Sequence, residues 1–190
     1  MLQDRFFGGA RRLRALFAAA LAAALVLPAM ARADSAATID ANTHQALLKL
    51  RAYAAGVDRL LQRAAGVLVF PDIVPMAFGE GGQFGEGALL VDDETVAYYA
   101  TAGSSFGLQA DQGAKSEVVL FMTEQALRDF RGSLGWKVGV DGAVALATLG
   151  DGGRIDADAA RTPVVGFIFS DTGLLYNLSL EGSKITRIAR

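Results

Sequence analysis

The chain has 190 residues, of which 52% are apolar and 20% charged, and its formal net charge at pH 7 is −2. It contains no cysteine, which excludes disulfides, thiolate catalysis and cysteine-based metal sites. The acidic balance argues against a nucleic-acid partner, because polyanions are attracted to basic surfaces. The length and the apolar content suffice for one sizeable hydrophobic core.

The first 33 residues have the pattern of an export leader. Four arginines (Arg5, Arg11, Arg12 and Arg14) precede an unbroken apolar run from 15 to 27, and Ala31-Arg32-Ala33 then forms a small-x-small cleavage site. A transmembrane anchor is the alternative, but the apolar run is shorter than the about 20 residues that a bilayer requires. We therefore predict a signal peptide over 1–33, cleavage between Ala33 and Asp34, and one periplasmic or secreted domain over 34–190, peripheral to a membrane.

Removal of this leader changes the charge of the protein. Residues 34–190 carry thirteen basic and nineteen acidic side chains, a net charge of −6. Anionic membranes repel such a body overall, so any electrostatic attraction to lipid has to be local.

The predicted domain begins with a long amphipathic helix. Over 38–65 the apolar residues recur at helical spacing within an arc of roughly 140°. Thr38 or Asp40 can cap the start of this helix, Gly66 can end it, and Gly56 allows a bend. On the polar side, Lys49, Arg59 and Arg63 form one basic flank, whereas Leu48 falls outside the apolar arc and is expected to be exposed.

Beyond Pro71 the sequence alternates between strands and turns. The predicted strands cover 67–70, 78–90, 96–101, 106–111, 118–123, 136–140, 144–149, 164–169 and 174–180, with a short helix over 123–130. Turn signals at 91–95, 141–142 and 171–173 predict three hairpins. These elements predict an α+β fold, in which the N-terminal helix packs on a mainly antiparallel, glycine-rich, curled or partly closed sheet.

One segment matches the Gly-x-Ser-x-Gly pattern of a hydrolase nucleophile, with Ser105 at its centre. The reaction also requires a histidine base, which follows the serine in that class of enzyme. His44 is the one histidine of the chain and precedes the serine. We therefore expect no enzymatic activity, and we interpret the segment as a closely packed glycine-rich strand or turn.

The sequence also lacks the patterns of metal and cofactor sites. His44 has no ligand cluster around it, and the acidic loops at 92–94 and 151–158 do not have the spacing of a calcium loop. The glycines between 79 and 87 fit neither the dinucleotide nor the P-loop pattern. We expect neither a metal nor a cofactor.

Three ordered blocks resemble the SYLF-domain family. They are the glycine-rich segment 78–88 (FGEGGQFGEGA), the central block 101–112 (TAGSSFGLQADQ) and the C-terminal phrase Leu180-Glu181-Gly182-Ser183. The opening phrase 66–71 (GVLVFP) also fits, so that the resemblance runs from about 64 to 190. The motif residues with an expected structural role are Gly79, Gly81, Gly82, Phe84, Gly85, Glu86, Gly87, Ser105, Phe106, Gly107, Gln109, Glu181, Gly182 and Ser183, and Glu86 is interpreted as a structural anchor.

The resemblance implies a non-enzymatic lipid-binding module. In this family the eukaryotic ligand is phosphoinositide and fungal members bind actin, but an exported bacterial protein is expected to meet envelope phospholipids instead. We therefore predict binding to phospholipid head groups or membrane surfaces, with Lys49, Arg59 and Arg63 as the candidate contacts. The alternatives are that these three are ordinary solvated charges, or that the protein is a structural or protein-interaction module of the periplasm without a lipid ligand.

Overall fold

The computed structural model describes residues 34–76, 82–104, 114–148, 155, 161–176 and 178–190. Asp34–Arg190 form one compact unit. The described helices are α1 (Ala36–Tyr53), α2 (Val57–Leu61) and α3 (Glu124–Gly132). The described strands are β1 (Gly66–Met76), β2 (Gly82–Val91), β3 (Glu94–Ser104), β4 (Lys115–Phe121), β5 (Trp136–Lys137), β6 (Ala145–Leu146), β7 (Val164–Ser170), β8 (Gly173–Leu174) and β9 (Lys184–Ile188).

The N-terminal helix begins earlier and ends sooner than predicted. Ser35 caps α1, because its hydroxyl accepts a hydrogen bond from the Thr38 amide at 3.1 Å. The predicted single helix over 38–65 is too long: Gly56 has a φ of 89°, a left-handed conformation that interrupts the helix, and α2 starts at the next residue. Leu48 is 54% exposed, which confirms its predicted place outside the apolar arc.

The strands form one sheet in the order β5-β9-β3-β2-β1-β4-β7-β6, with β8 paired to β7. All pairs between these strands are antiparallel except β6 with β7. The sheet is curled and carries a helix at the N-terminus of the domain, which confirms the predicted α+β class.

Each face of the sheet is covered by a different helix. The face that we call the α1 face presents Val69, Ala88 and Val118, which join the buried side of α1 in one apolar cluster. The opposite face, the α3 face, presents Leu68, Leu89 and Val119, which cluster with the aromatic and aliphatic residues of α3. Alternation of side chains along each strand divides the strand residues between the two clusters.

The glycines of β2 permit a close approach of two strands. A β-bulge displaces β1 between Val69 and Asp72. A Cβ atom added at Gly87 would lie 2.0 Å from the carbonyl oxygen of Val69, and one at Gly85 would lie 2.7 Å from Cγ1 of Ile73. Any side chain at these two positions would therefore push β1 away from β2.

Several sequence-based pairings are wrong. The predicted hairpin of 136–140 with 144–149 does not form, because β5 pairs with β9 and β6 pairs in parallel with β7. The predicted strand over 174–180 is reduced to Gly173–Leu174, and β9 was not predicted. The hairpins β2–β3 and β7–β8 are confirmed. The predicted strand over 106–111 lies outside the described residues.

Candidate functional site

A row of directly paired residues crosses one end of the sheet on the α1 face. Val74 of β1 is opposite Phe84 of β2, and Phe84 is opposite Ala102 of β3. Ala102 is in turn opposite Lys184 of β9, which is opposite Lys137 of β5. Residues that are directly opposite in antiparallel strands project from the same face. All five are exposed, so α1 does not cover them; we call them the exposed row.

One end of the exposed row is apolar. Val74 is 46% exposed and Phe84 37% exposed, and Met76, two residues further along β1, is 46% exposed. Ala102 continues this apolar strip onto β3. Single exposed apolar residues are common on proteins, but neighbouring ones on adjacent strands form a patch of the kind that binds partners or membranes.

The other end of the exposed row is basic. Lys137 and Lys184 are direct cross-strand neighbours, an arrangement of like charges that destabilises a sheet by about 0.2–1 kcal/mol. Neither lysine forms an ion pair with a carboxylate of the described residues. An anion bound beside them would remove this repulsion.

The opposite, α3 face holds a buried ion pair at the same end of the sheet. Nζ of Lys115 lies 2.7 Å from Oε1 of Glu117, and the two side chains are only 3% and 2% exposed. Burial raises the pKa of Glu117, against the lowering effect of the Lys115 charge. Because both side chains are buried, we interpret this pair as structural. Neither group is accessible to a substrate as an acid or a base.

Further polar groups lie buried in the neighbouring strands. Gln83 of β2 is 1% exposed and Thr101 of β3 is fully buried. Among the described residues, Oε1 of Gln83 and Oγ1 of Thr101 have no hydrogen-bond partner. Unpartnered buried polar atoms cost about 1–3 kcal/mol each, so this end of the sheet is less favourable for folding than an apolar core.

The described motif residues of β2 have structural contacts. Gly82, Gly85 and Gly87 lie in the strand, and Phe84 belongs to the exposed row. Glu86 forms an ion pair with Arg190 and accepts a hydrogen bond from the backbone nitrogen of Asp34 at 3.2 Å.

The C-terminal motif makes the turn before β9. Gly182 has a φ of 82°, which a side chain would strain, and Ser183 is 2% exposed. Ser183 packs against Gly103, where an added Cβ would lie 2.8 Å from its Oγ atom. Glu181 is exposed. The remaining motif residues lie outside the described residues: Gly79, Gly81, Ser105, Phe106, Gly107 and Gln109.

The structure does not place the three predicted basic contacts on one helix. Lys49 lies on α1 and its Nζ atom is 2.7 Å from Oδ1 of Asp171; this hydrogen bond raises the pKa of Lys49. Arg59 lies on α2 and Arg63 follows it. Both arginines are exposed, and neither forms an ion pair within the described part of the chain.

Within the described ranges, no group of three or more acidic, histidine or cysteine side chains is placed to hold a metal ion. His44 is exposed on α1. No helix among the described residues has both the length and the hydropathy to cross a membrane.

A family model covers the C-terminal half of the chain. The model for Ysc84, described as Las17-binding protein actin regulator, matches residues 92–189, which is just over half of the sequence. The chain belongs to the Ysc84 (SYLF) family. No curated protein matches it. The match runs from the β2–β3 turn to β9 and includes the Glu181-Gly182-Ser183 motif, which confirms the family that the sequence blocks indicated.

Sequence reasoning did not find the exposed row, except for Phe84. Val74 and Phe84 have the apolar character of core residues, and Lys137 and Lys184 have that of ordinary surface charges. Their alignment depends on the pairing of β9 with both β3 and β5, and no local sequence signal specifies that pairing.

Proposed function

We propose that this member of the Ysc84 family is a non-enzymatic module that docks on anionic phospholipid membranes through the exposed row. Val74 and Phe84, with Met76 beside them, would enter the boundary between head groups and acyl chains. Lys137 and Lys184 would contact the phosphates of the head groups. Each lysine near an anionic surface contributes about 1 kcal/mol of attraction.

The observation that carries this proposal is the juxtaposition, in one cross-strand row, of exposed apolar side chains and lysines that form no ion pair with a described residue. Surfaces that bind at a membrane interface combine these two properties, because apolar burial and electrostatic attraction act together there. The chain is acidic overall, so a local basic site of this kind is required for attraction to an anionic surface.

Family membership supports a binding module rather than an enzyme. The family description names an actin regulator, and binding of lipid or of actin-regulating partners is the range of activity that membership supports. We favour lipid because the predicted leader would export the chain to the cell envelope, where phospholipid is abundant and actin is absent.

The basic residues of the helices enter the proposal as an auxiliary contact. Arg59 and Arg63 are exposed and would add long-range attraction to the membrane, whereas Lys49 is already paired with Asp171. Asp171 directly follows β7. In the strand order the exposed row runs from β1 to β5, whereas β7 lies in the other direction from β1, beyond β4. The contribution of the helices is therefore expected to be smaller than that of the row.

Co-sedimentation with phosphatidylglycerol vesicles tests the proposal. Residues 34–190 are used, so that the apolar run of the leader does not itself partition into lipid. We expect Val74→Ser/Phe84→Ser to lose binding at both low and physiological salt, because the apolar contact is not screened. Lys137→Gln/Lys184→Gln should bind about tenfold or more weakly at low salt and lose most of the salt dependence.

Matched variants isolate the row from general surface effects. Val96→Ser removes another exposed apolar residue of β3, about 20 Å along the strand from Ala102, and should bind as the wild type does. Lys49→Gln/Arg59→Gln/Arg63→Gln should cause a smaller loss than the row lysines. Full binding by both row variants would contradict the site, and absence of vesicle binding by the wild type would favour a protein-interaction module.

A further inference from the structure

A cavity of about 320 Å³ lies beside the apolar cluster of the α1 face, at the end of the sheet remote from the exposed row. Its lining comes from α1, from α2 and the residues that follow it, from the start of β1, and from the end of β2 with the turn to β3. Val67 of β1 is opposite Leu90 of β2 at this cavity, whereas Val74 and Phe84 of the exposed row are paired about 20 Å further along the same two strands. The cavity is therefore separate from the proposed membrane contact.

One wall of the cavity is apolar. It consists of the side chains of Leu47, Leu61, Ala64, Val67 and Leu90. Leu47 and Leu90 are buried members of the cluster on the α1 face, and the other three are half-buried and pack against that cluster. Covering this apolar wall would remove apolar surface from water, so the cavity favours a ligand that has an aliphatic part.

The solvent side of the cavity is negatively charged. The exposed residues that line it are Arg51, Asp58, Gln62, Asp92 and Asp93. Nε of Arg51 lies 2.9 Å from Oδ1 of Asp58, so this arginine neutralises one carboxylate. Asp92 and Asp93 form no ion pair with a basic residue of the described part of the chain. Three aspartates against one arginine leave these lining residues with a net charge of −2.

The β2–β3 turn holds the two carboxylates without an ion pair in a defined backbone conformation. Val91 pairs with Glu94, so Asp92 and Asp93 are the two central residues of the hairpin turn. Their φ angles of 51° and 64° are both left-handed, as in a type I′ turn. Such a turn favours Asn-Gly, because glycine adopts a positive φ without steric cost. The chain therefore carries two carboxylates at positions where the turn geometry alone favours uncharged residues.

We propose that this cavity binds a small aliphatic amine in its protonated form. The ammonium group would donate charge-assisted hydrogen bonds to the carboxylates of Asp92 and Asp93, and the alkyl part would cover the apolar wall at Leu61 and Leu90. Acidic side chains around an apolar cleft concentrate the electrostatic field and raise the local concentration of cations. The amine would be a free molecule and not a lipid of the membrane, because the exposed row lies about 20 Å away along the sheet.

The test is a nuclear magnetic resonance titration of the purified protein with hexylammonium chloride at constant ionic strength. We expect the backbone amide signals of Leu61, Leu90 and Asp93 to shift together. Hexan-1-ol has the same alkyl chain without the charge, and ammonium chloride has the charge without the chain. Each should bind at least about tenfold more weakly than hexylammonium, since each lacks one of the two kinds of contact.

The variant Asp92→Asn/Asp93→Gly separates the charge of the turn from its conformation. Asn-Gly is favoured in a type I′ turn, so the hairpin should form with an equal or higher melting temperature. The affinity for hexylammonium should fall by about tenfold or more, because both carboxylates are lost. Glu94→Gln/Asp129→Asn is the matched control: it removes the same net charge from two exposed residues that do not line the cavity, and it should leave the affinity unchanged.

Vesicle binding separates this site from the proposed membrane contact. Val74→Ser/Phe84→Ser should bind hexylammonium as the wild type does, because the cavity is intact. Asp92→Asn/Asp93→Gly should bind phosphatidylglycerol vesicles at least as tightly as the wild type does, because the exposed row is intact. Loss of amine affinity in the first variant, or of vesicle binding in the second, would overturn the proposal of a separate site.

The amine assignment fails if Asp92→Asn/Asp93→Gly keeps the wild-type affinity, if hexan-1-ol binds as tightly as hexylammonium, or if the signals shift elsewhere in the protein. Calcium chloride distinguishes an amine site from a metal site. Calcium that shifts the signals of Asp92 and Asp93 at the same or a lower concentration than hexylammonium would overturn the proposal, because carboxylate oxygens are also ligands for that ion.

Discussion

Individual side chains on β4 show how this fold accommodates charge in its interior. Lys115 and Glu117 lie two residues apart, so both project to the α3 face, and each is almost completely buried. An ion pair in a core seldom adds stability relative to apolar residues of similar size, because both charges lose their hydration. The same pair is costly to break, since the remaining charge has no partner.

We expect Lys115→Met to destabilise the protein by about 3–5 kcal/mol, because Glu117 would remain buried without a counter-charge. Lys115→Met/Glu117→Leu removes both charges and should restore stability to within about 1 kcal/mol of the wild type. Chemical denaturation of the two variants measures this difference. Equal destabilisation of both would show that the pair contributes packing rather than charge balance.

The pH dependence of stability supplies a second measurement. A raised pKa means that folded Glu117 keeps its proton to a higher pH than the unfolded chain does. Its contribution is fully present below the ordinary pKa of 4.5 and falls as the pH rises through the raised value. The wild type should lose stability relative to the charge-free double variant over that interval.

At the scale of elements, the contact between β1 and β2 depends on glycine. The bulge in β1 brings the Val69 carbonyl so close to β2 that Gly87 cannot carry a side chain. The obstructing atom belongs to the backbone and cannot move aside as a flexible side chain would. The glycine-rich character of β2 therefore has a packing cause at Gly85 and Gly87.

Gly87→Ala should destabilise the protein by about 3 kcal/mol, the upper end of the cost of overpacking a core. Gly132→Ala is the control: nothing lies within 4 Å of its added Cβ, and it ends α3 without a positive φ. The control should be neutral, or stabilising by up to about 1 kcal/mol through helix propensity. Thermal unfolding of both variants compares their melting temperatures, and equal values would contradict the packing argument.

The accuracy of sequence-based prediction also varied by element. Helix α3, the β2–β3 hairpin and the β7–β8 hairpin were predictable, because caps, turn residues and local periodicity define them. Strand β9 was missed although Lys184 to Ile188 alternates, and β5 and β6 received the wrong partners. Those pairings join distant segments, so their energies come from tertiary packing that local sequence does not encode.

The candidate sites were likewise hard to predict, because they depend on contacts between distant segments. The prediction of a basic flank formed by Lys49, Arg59 and Arg63 required one continuous helix. The left-handed conformation of Gly56 interrupts that helix. The positions of the buried ion pair and of the exposed row depend on which side chains of each strand project to the α1 face and which project to the α3 face. That choice could not be made before the bulge in β1 and the order of the strands were known.

At the scale of the whole molecule, the net charge of the predicted domain constrains how it could bind a membrane. The domain over 34–190 carries a net charge of −6, so the proposed membrane contact has to be a local surface that overcomes a general repulsion. Such a protein would bind weakly and reversibly, and its binding would respond to salt.

We predict that export removes the leader after Ala33. N-terminal sequencing of protein from a periplasmic extract should begin at Asp34, because Ala31-Arg32-Ala33 follows the apolar run at the distance of a cleavage site. Replacing Ala33 with a large residue should block processing and serves as the control. Recovery of the uncleaved wild-type chain in the inner membrane would show that the apolar run is an anchor.

The contact of Asp34 with Glu86 gives this cleavage an electrostatic consequence. The backbone nitrogen of Asp34 already donates to Glu86, whose carboxylate also pairs with Arg190 and is only 12% exposed. Cleavage at the predicted position would convert that neutral amide into an ammonium group, which is charged below its usual pKa of about 7.7–8.0. After cleavage the new N-terminal ammonium group would form an ion pair with Glu86 of β2, which the precursor lacks. The processed domain should therefore be the more stable form.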